Sequence, residues 1–235
     1  MKSVSCSISI AFTMFSLCAA PLGAWAAIPA ITCHCFTDRS YDPARPTIAD
    51  PYFLATTQNS FFAAVFAVEK KSIVLKKQKG TANDDLWIGY WLAAKSGADP
   101  EKLLQERKNK GSWQKIVASL SIPNKSMESH VASALKSRVN NERLAEAMVD
   151  ELLVRFHMYG ETELAALRKA GVGNQEVILT ALLASKLRQP AMQLYSGVKK
   201  GNTSWGALLQ QAKIDPPSIE AEIESLVKGA ATSKR

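Results

Sequence analysis

Apolar positions along the chain recur at helical intervals. Leu144, Met148, Val149, Leu152 and Phe156 fall at steps of three and four, which lays one apolar stripe along an amphipathic helix. Two further stretches, Leu86 to Ala94 and Val177 to Ala184, are apolar nearly all round and belong in the middle of a packed helical body. Helix starts are marked by Asp50-Pro51 ahead of Tyr52 to Val68, by Asn83, by Asp99-Pro100 and by Asp215-Pro216. Ser112 and Ser204 stand directly before Trp113 and Trp205, in the position of N-caps. No stretch alternates long enough to argue a strand, Ser72 to Leu75 being the one ambiguous run. The pattern predicts an all-α fold.

The same pattern occurs twice. Pro100, Gly111, Ser112-Trp113 and Ile122 recur in order and near-equal spacing as Pro190, Gly201, Ser204-Trp205 and Ile214. Upstream, Gly80 and Asn83 match Gly171 and Asn174, each pair opening one of the two apolar stretches. A duplication of this kind means one structural unit used twice. We expect helical repeats over 50–122 and 141–214, a connector helix over 123–140, and a terminal helix and tail over 215–235. The two repeats should pack into one body.

The N-terminus changes the picture from a plain globular chain to an exported one. Lys2 is the only charge before Asp38, the stretch Val4 to Leu22 is mostly apolar, and Ala24-Trp25-Ala26 forms an A-x-A cleavage site. Residues 1–26 therefore read as a signal peptide. Interrupting serines and Pro21 argue against an uncleaved anchor, and no membrane span remains once the signal is removed. The expected location is periplasmic or extracellular. Between 27 and 49 lies an irregular arm with Pro29, Pro43 and Pro46. With 29 basic and 21 acidic residues the chain is basic, and an exported basic chain favours an anionic neighbour: cell-wall polymer, lipid headgroups or an acidic protein. Plain solubility accounts for a modest imbalance equally well.

Candidate chemistry is sparse. Cys33-His34-Cys35 in the arm reads as a disulfide within or between chains, as free thiols, or as a metal site lacking its fourth ligand. His157 ends the amphipathic helix before Gly160, where an imidazole complements the helix dipole. Trp113 and Trp205 read as core anchors, with stacking on a sugar or partner as the alternative. Lys108 and Lys110 precede Gly111, and Lys199 and Lys200 precede Gly201. These lysines complement helix C-termini capped by glycine. Alternatively, together with the N–H groups that open the next helix at Ser112 and Ser204, they form anion sites. Lys70, Lys71, Lys76, Lys77 and Lys79 enlarge the basic surface in the first copy only. No phosphate-binding loop, dinucleotide fingerprint, zinc-protease motif or nucleophile elbow is present, no cofactor is indicated, and no pattern points to specific nucleic-acid recognition.

Leu167-Arg168-Lys169-Ala170-Gly171, Leu182-Leu183-Ala184, Pro190 and Gly201 to Trp205 together resemble uncharacterised exported all-α bacterial proteins with duplicated Gly-(x2)-Ser-Trp turn repeats. The first copy departs in having Lys77 where Arg168 stands, and it lacks two residues after its turn glycine. The resemblance implies an envelope protein and supplies no catalytic residues. The expected function is a non-enzymatic binding or scaffold protein meeting an anionic polymer or protein partner through a basic helical surface. A redox or metal-handling protein working through Cys33, His34 and Cys35 is the alternative.

Overall fold

Among the described residues the polypeptide is helical wherever it is regular. The computed structural model describes residues 36–120, 122 and 129–232. Among the described residues there are twelve α-helices and no strand. In order they are α1 (Asp50–Phe66), α2 (Lys70–Gln78), α3 (Asn83–Ser96), α4 (Pro100–Lys110), α5 (Trp113–Val117) and α6 (Ser129–Lys136). There follow α7 (Asn141–Arg155), α8 (Glu161–Lys169), α9 (Asn174–Leu187), α10 (Ala191–Lys199), α11 (Trp205–Gln211) and, after a 3-10 turn at Pro216–Ser218, α12 (Ile219–Thr232). The ambiguous run Ser72 to Leu75 lies inside α2: Ile73 is the side chain it buries, and one inward position in a nine-residue segment fits a helix face rather than a pleat.

The two apolar stretches occupy the interior as their composition requires. Every residue from Leu86 to Ala93 in α3 and from Val177 to Leu183 in α9 is buried. The stripe of α7 is buried at Leu144, Met148, Val149 and Leu152, with Phe156 partly covered at its end. α3 packs chiefly on α7 and α4, while α9 packs on α1 and α10. α1 also lies along α12 and touches α2 and α11.

Helix starts divide by whether a local side chain closes them. Asp99 and Asn140 cap α4 and α7, accepting from Glu101 N–H and Arg143 N–H, each at 2.9 Å. Ser204 caps α11 through Ala207 N–H at 3.1 Å. Four expected caps are not made. Asn83 and Asp50 each lie inside the first turn, with Ala82 and Ala49 in the cap position, and Asp215 accepts no capping bond through its side chain. The Ser112 hydroxyl donates to Gln114 Oε1 at 2.7 Å instead of capping α5.

The arm from Phe36 to Ala49 is a succession of turns, held by Ala44 N–H on the Asp42 carboxylate at 2.9 Å and Arg45 N–H on the Asp42 carbonyl at 3.0 Å. Tyr41 lays its ring over Gly206 in α11. A methyl at position 206 would stand 2.7 Å from Tyr41 Cδ2 and 3.0 Å from Phe53 Cε2, so only glycine admits this contact. Gly206→Ala therefore sets a helix-propensity gain of about 1 kcal/mol against an overpacking cost of about 1–3 kcal/mol. The expected outcome in urea denaturation is net destabilisation, much of it relieved in a Tyr41→Ala background. An unchanged midpoint in the single variant would show that the arm does not rest on α11.

Candidate functional site

The two Ser-Trp turns are where the sequence concentrates its repeated signals, and both tryptophans are core residues. Trp113 is fully buried and Trp205 nearly so, at 0% and 3% exposure, which leaves no ring face for a sugar or partner. The Trp113 ring folds back against Gly89 of α3, as a residue in the first turn after the cap can. Its Nε1–H donates to Asp85 Oδ1 at 2.6 Å. That oxygen also accepts from Arg107 Nε at 3.0 Å and Asn141 Nδ2 at 3.4 Å, so one carboxylate ties α3, α4, α5 and α7 together.

At the second turn, the N–H groups of Trp205 and Gly206 point into protein rather than solvent. Both donate to the Asp50 carboxylate, at 3.2 and 2.9 Å, across 155 positions of sequence in the first case. Asp50 thus closes α11 rather than its own helix. Burial pushes its carboxyl above the usual carboxylate range, against the pull of the two N–H donors. Ser204 is buried within the same cap. The N–H groups read as an anion site at this turn already hold the protein's own anion.

The lysines separate by helix face. Lys110 is exposed and pairs with Glu106 at 2.7 Å, one turn back on α4. Lys199 and Lys200 lie exposed at the end of α10. Gly111 and Gly201 are left-handed, with φ of 68° and 72°, as their place after basic helix ends requires. Lys108, by contrast, lines a concavity of about 480 Å³ between α2 and α4 together with Lys71, Lys76 and Lys79. Glu69 and Glu101 share the lining, and Lys76 is held by Glu101 at 2.6 Å. Tyr90 OH reaches the same glutamate at 3.2 Å. Lys71, Lys79 and Lys108 are exposed. Sequence spacing alone marked this basic run in α2. It did not show that α4 would bring Lys108 beside it, because that approach depends on how α4 folds back after Pro100.

The other lysines of α2 turn inward. Lys70 bonds Glu220 of α12 at 2.6 Å, and Lys77 donates to Asn59 of α1 at 2.6 Å. Thr56, Thr57, Gln58, Asn59 and Ser60 form a buried polar belt on α1, which their polar composition does not foretell. Thr57 returns its hydroxyl to the Phe53 carbonyl at 2.7 Å, and Gln58 accepts from Gln175 of α9 at 3.2 Å. Elsewhere Lys95 meets the buried Glu151 at 2.6 Å, linking α3 to α7.

His157 lies two residues past the end of α7, with a left-handed backbone at φ 52° and an exposed side chain, at a concavity of about 410 Å³ lined also by Tyr159, Glu163 and Ser225. Among the described residues no cluster of three or more histidines, cysteines or carboxylates could hold a metal ion. Cys33, His34 and Cys35 lie outside the described residues, as does the segment 1–26 read as a signal peptide. Among the described residues no helix is long and apolar enough to cross a membrane. No family model matches the chain, and neither does any curated protein or solved structure.

Burial pushes the Lys77 ammonium down to about 8 from 10.5, with Asp84 pulling it the other way. Burial raises the Asp84 carboxyl too, reinforced by Glu142, Asp85 and Glu146 and opposed by Lys77. Below about 8 folded and unfolded chains both keep the Lys77 proton. From there up to 10.5 the unfolded chain binds more protons, so this residue's contribution makes folding more favourable as pH rises. Stability of the protein relative to Lys77→Met should therefore climb across that window in denaturant titrations. A flat difference would show that Lys77 is solvated like a surface lysine.

Proposed function

We propose that the protein is a non-enzymatic binding or scaffold component of the bacterial envelope, which meets an anionic polymer or an acidic protein partner through its basic helical surface. The observation that carries this reading is the α2–α4 concavity, where Lys71, Lys76, Lys79 and Lys108 converge against two glutamates. One of those glutamates is already engaged with Lys76 and Tyr90. Exposed lysines grouped around a hollow concentrate positive potential and attract extended anions. Lys110, Lys199 and Lys200 add exposed charge at other helix ends. Export is supported by the A-x-A pattern at Ala24 to Ala26, and a location in the periplasm or outside the cell follows from that pattern alone.

The body of the protein is, in this proposal, a pair of duplicated units. Three observations support it. α2 and α8 have nine residues each, and α3 and α9 fourteen. Lys77 reaches Asn59 just as Arg168, its counterpart, reaches Asp150 at 2.6 Å. Packing is reciprocal too, since α1 lies on α9 and α12 while α7 lies on α3 and α6. Each copy then lends its first helix to the core of the other. Such an exchange makes a rigid carrier for a surface site, which suits a scaffold.

Co-sedimentation with purified anionic cell-wall polymer at low and high salt tests the binding reading. Pelleting should fall as salt rises, because contacts between exposed charges are screened. Lys71→Glu, Lys79→Glu and Lys108→Glu combined should abolish it, whereas Lys199→Glu with Lys200→Glu should leave most of it. Failure to pellet at either salt would contradict the proposal.

A further inference from the structure

We infer that the anion recognised at the α2–α4 face is the headgroup layer of an anionic lipid bilayer, with Leu75 entering the interface between lysines. This inference rests on the binding surface just proposed and names what presents the charge there. Among the described residues two large apolar side chains remain substantially exposed, Ile48 at 36% and Leu75 at 43%. Leu75 lines the same concavity as Lys71, Lys76, Lys79 and Lys108.

Helical spacing gives the face its character. Lys71, Leu75 and Lys79 lie four residues apart along α2 and are all exposed, so they form one outward row. The inward side of α2 is fixed independently, by buried Ile73, by Lys77 on Asn59 and by Lys70 on Glu220. Those contacts hold the row rigidly toward solvent. A soluble polyanion or an acidic peptide would use the lysines and gain little from an exposed leucine at the centre of the row. A bilayer surface uses both: lysines reach headgroup phosphates with their stems lying along apolar surface, while a central aliphatic side chain enters the acyl boundary. Basic residues near an anionic leaflet attract it individually, so Lys71 and Lys79 of the row, with Lys108 beside them, act additively.

The test compares vesicles of mixed phosphatidylglycerol and phosphatidylcholine, vesicles of phosphatidylcholine alone, and soluble polyphosphate, each titrated with the purified protein after removal of residues 1–26. Binding to the anionic vesicles, with none to the neutral ones, is expected. Leu75→Ser should weaken vesicle binding about tenfold, the scale of burying one leucine, and leave polyphosphate binding unchanged. A Leu75→Trp variant should shift its emission to the blue on anionic vesicles and not with polyphosphate. Equal vesicle binding by Leu75→Ser, or no emission shift, would overturn the bilayer inference while leaving the anionic surface standing as a polymer site. Loss of neither ligand in the Lys71→Glu, Lys79→Glu, Lys108→Glu variant would overturn the underlying surface as well. All four positions are exposed, so a change in far-ultraviolet circular dichroism is not expected for any variant.

Discussion

Burying the middle of α1 is the constraint to which much of the remaining architecture answers. Five consecutive polar residues, Thr56 to Ser60, sit in the interior of a helix flanked by α9 and α12. An unpaired buried polar group costs about 1–3 kcal/mol, so a belt of five survives only where partners are supplied. For four of the five they come from the helix itself and from distant elements: the Phe53 carbonyl for Thr57, Lys77 for Asn59, Gln175 for the Gln58 side-chain oxygen and Lys70 for Ser60 at 3.4 Å, while Gln58 Nε2 stays buried without one. At the start of the same helix, Asp50 closes α11. The first long helix of the described residues is thereby committed to the last third of the chain, through polar contacts as well as apolar packing.

That commitment also explains why a surface element such as α2 is held in one orientation. α2 is short and mostly polar, with one fully buried side chain, Ile73. Alone it would be marginal, since helices below about a dozen residues draw their stability from tertiary contacts. Lys77 and Lys70 anchor it to α1 and α12 on the side that buries Ile73, and Lys71 and Leu75 on the other side are left to face outward. The basic row is a consequence of the polar belt: lysines satisfy α1 on one side, and their neighbours along the helix are turned to solvent on the other.

Much of this was legible in the sequence, where the relevant physics is local. Apolar residues all round α3 and α9 required burial, the stripe of α7 required one buried face, and tryptophans placed just after capping serines could fold back on a central helix. What was illegible was non-local. Asp50-Pro51 has the local form of an N-cap, and only the approach of α11 from far along the chain turns that carboxylate to another helix. The burial of Thr56 to Ser60 is not legible in their polar composition, which does not reveal that Lys77 and Gln175 arrive beside them. The five lysines from Lys70 to Lys79 read as one cluster, and their division into inward and outward sets depends on which face Ile73 buries. Lys108 joins the outward set because α4, packed on α3, brings it to the same concavity.

The most direct test of α1 as the shared element is native-state hydrogen exchange, resolved by helix, under increasing denaturant. If α1 is part of the core of the body, its amides should open with those of α9 and α12 in one cooperative step. They should also share the highest opening free energy with α3 and α7. Exchange of α1 at lower denaturant, while α9 and α12 stay protected, would mean that the second half holds its fold without α1, and would contradict the account.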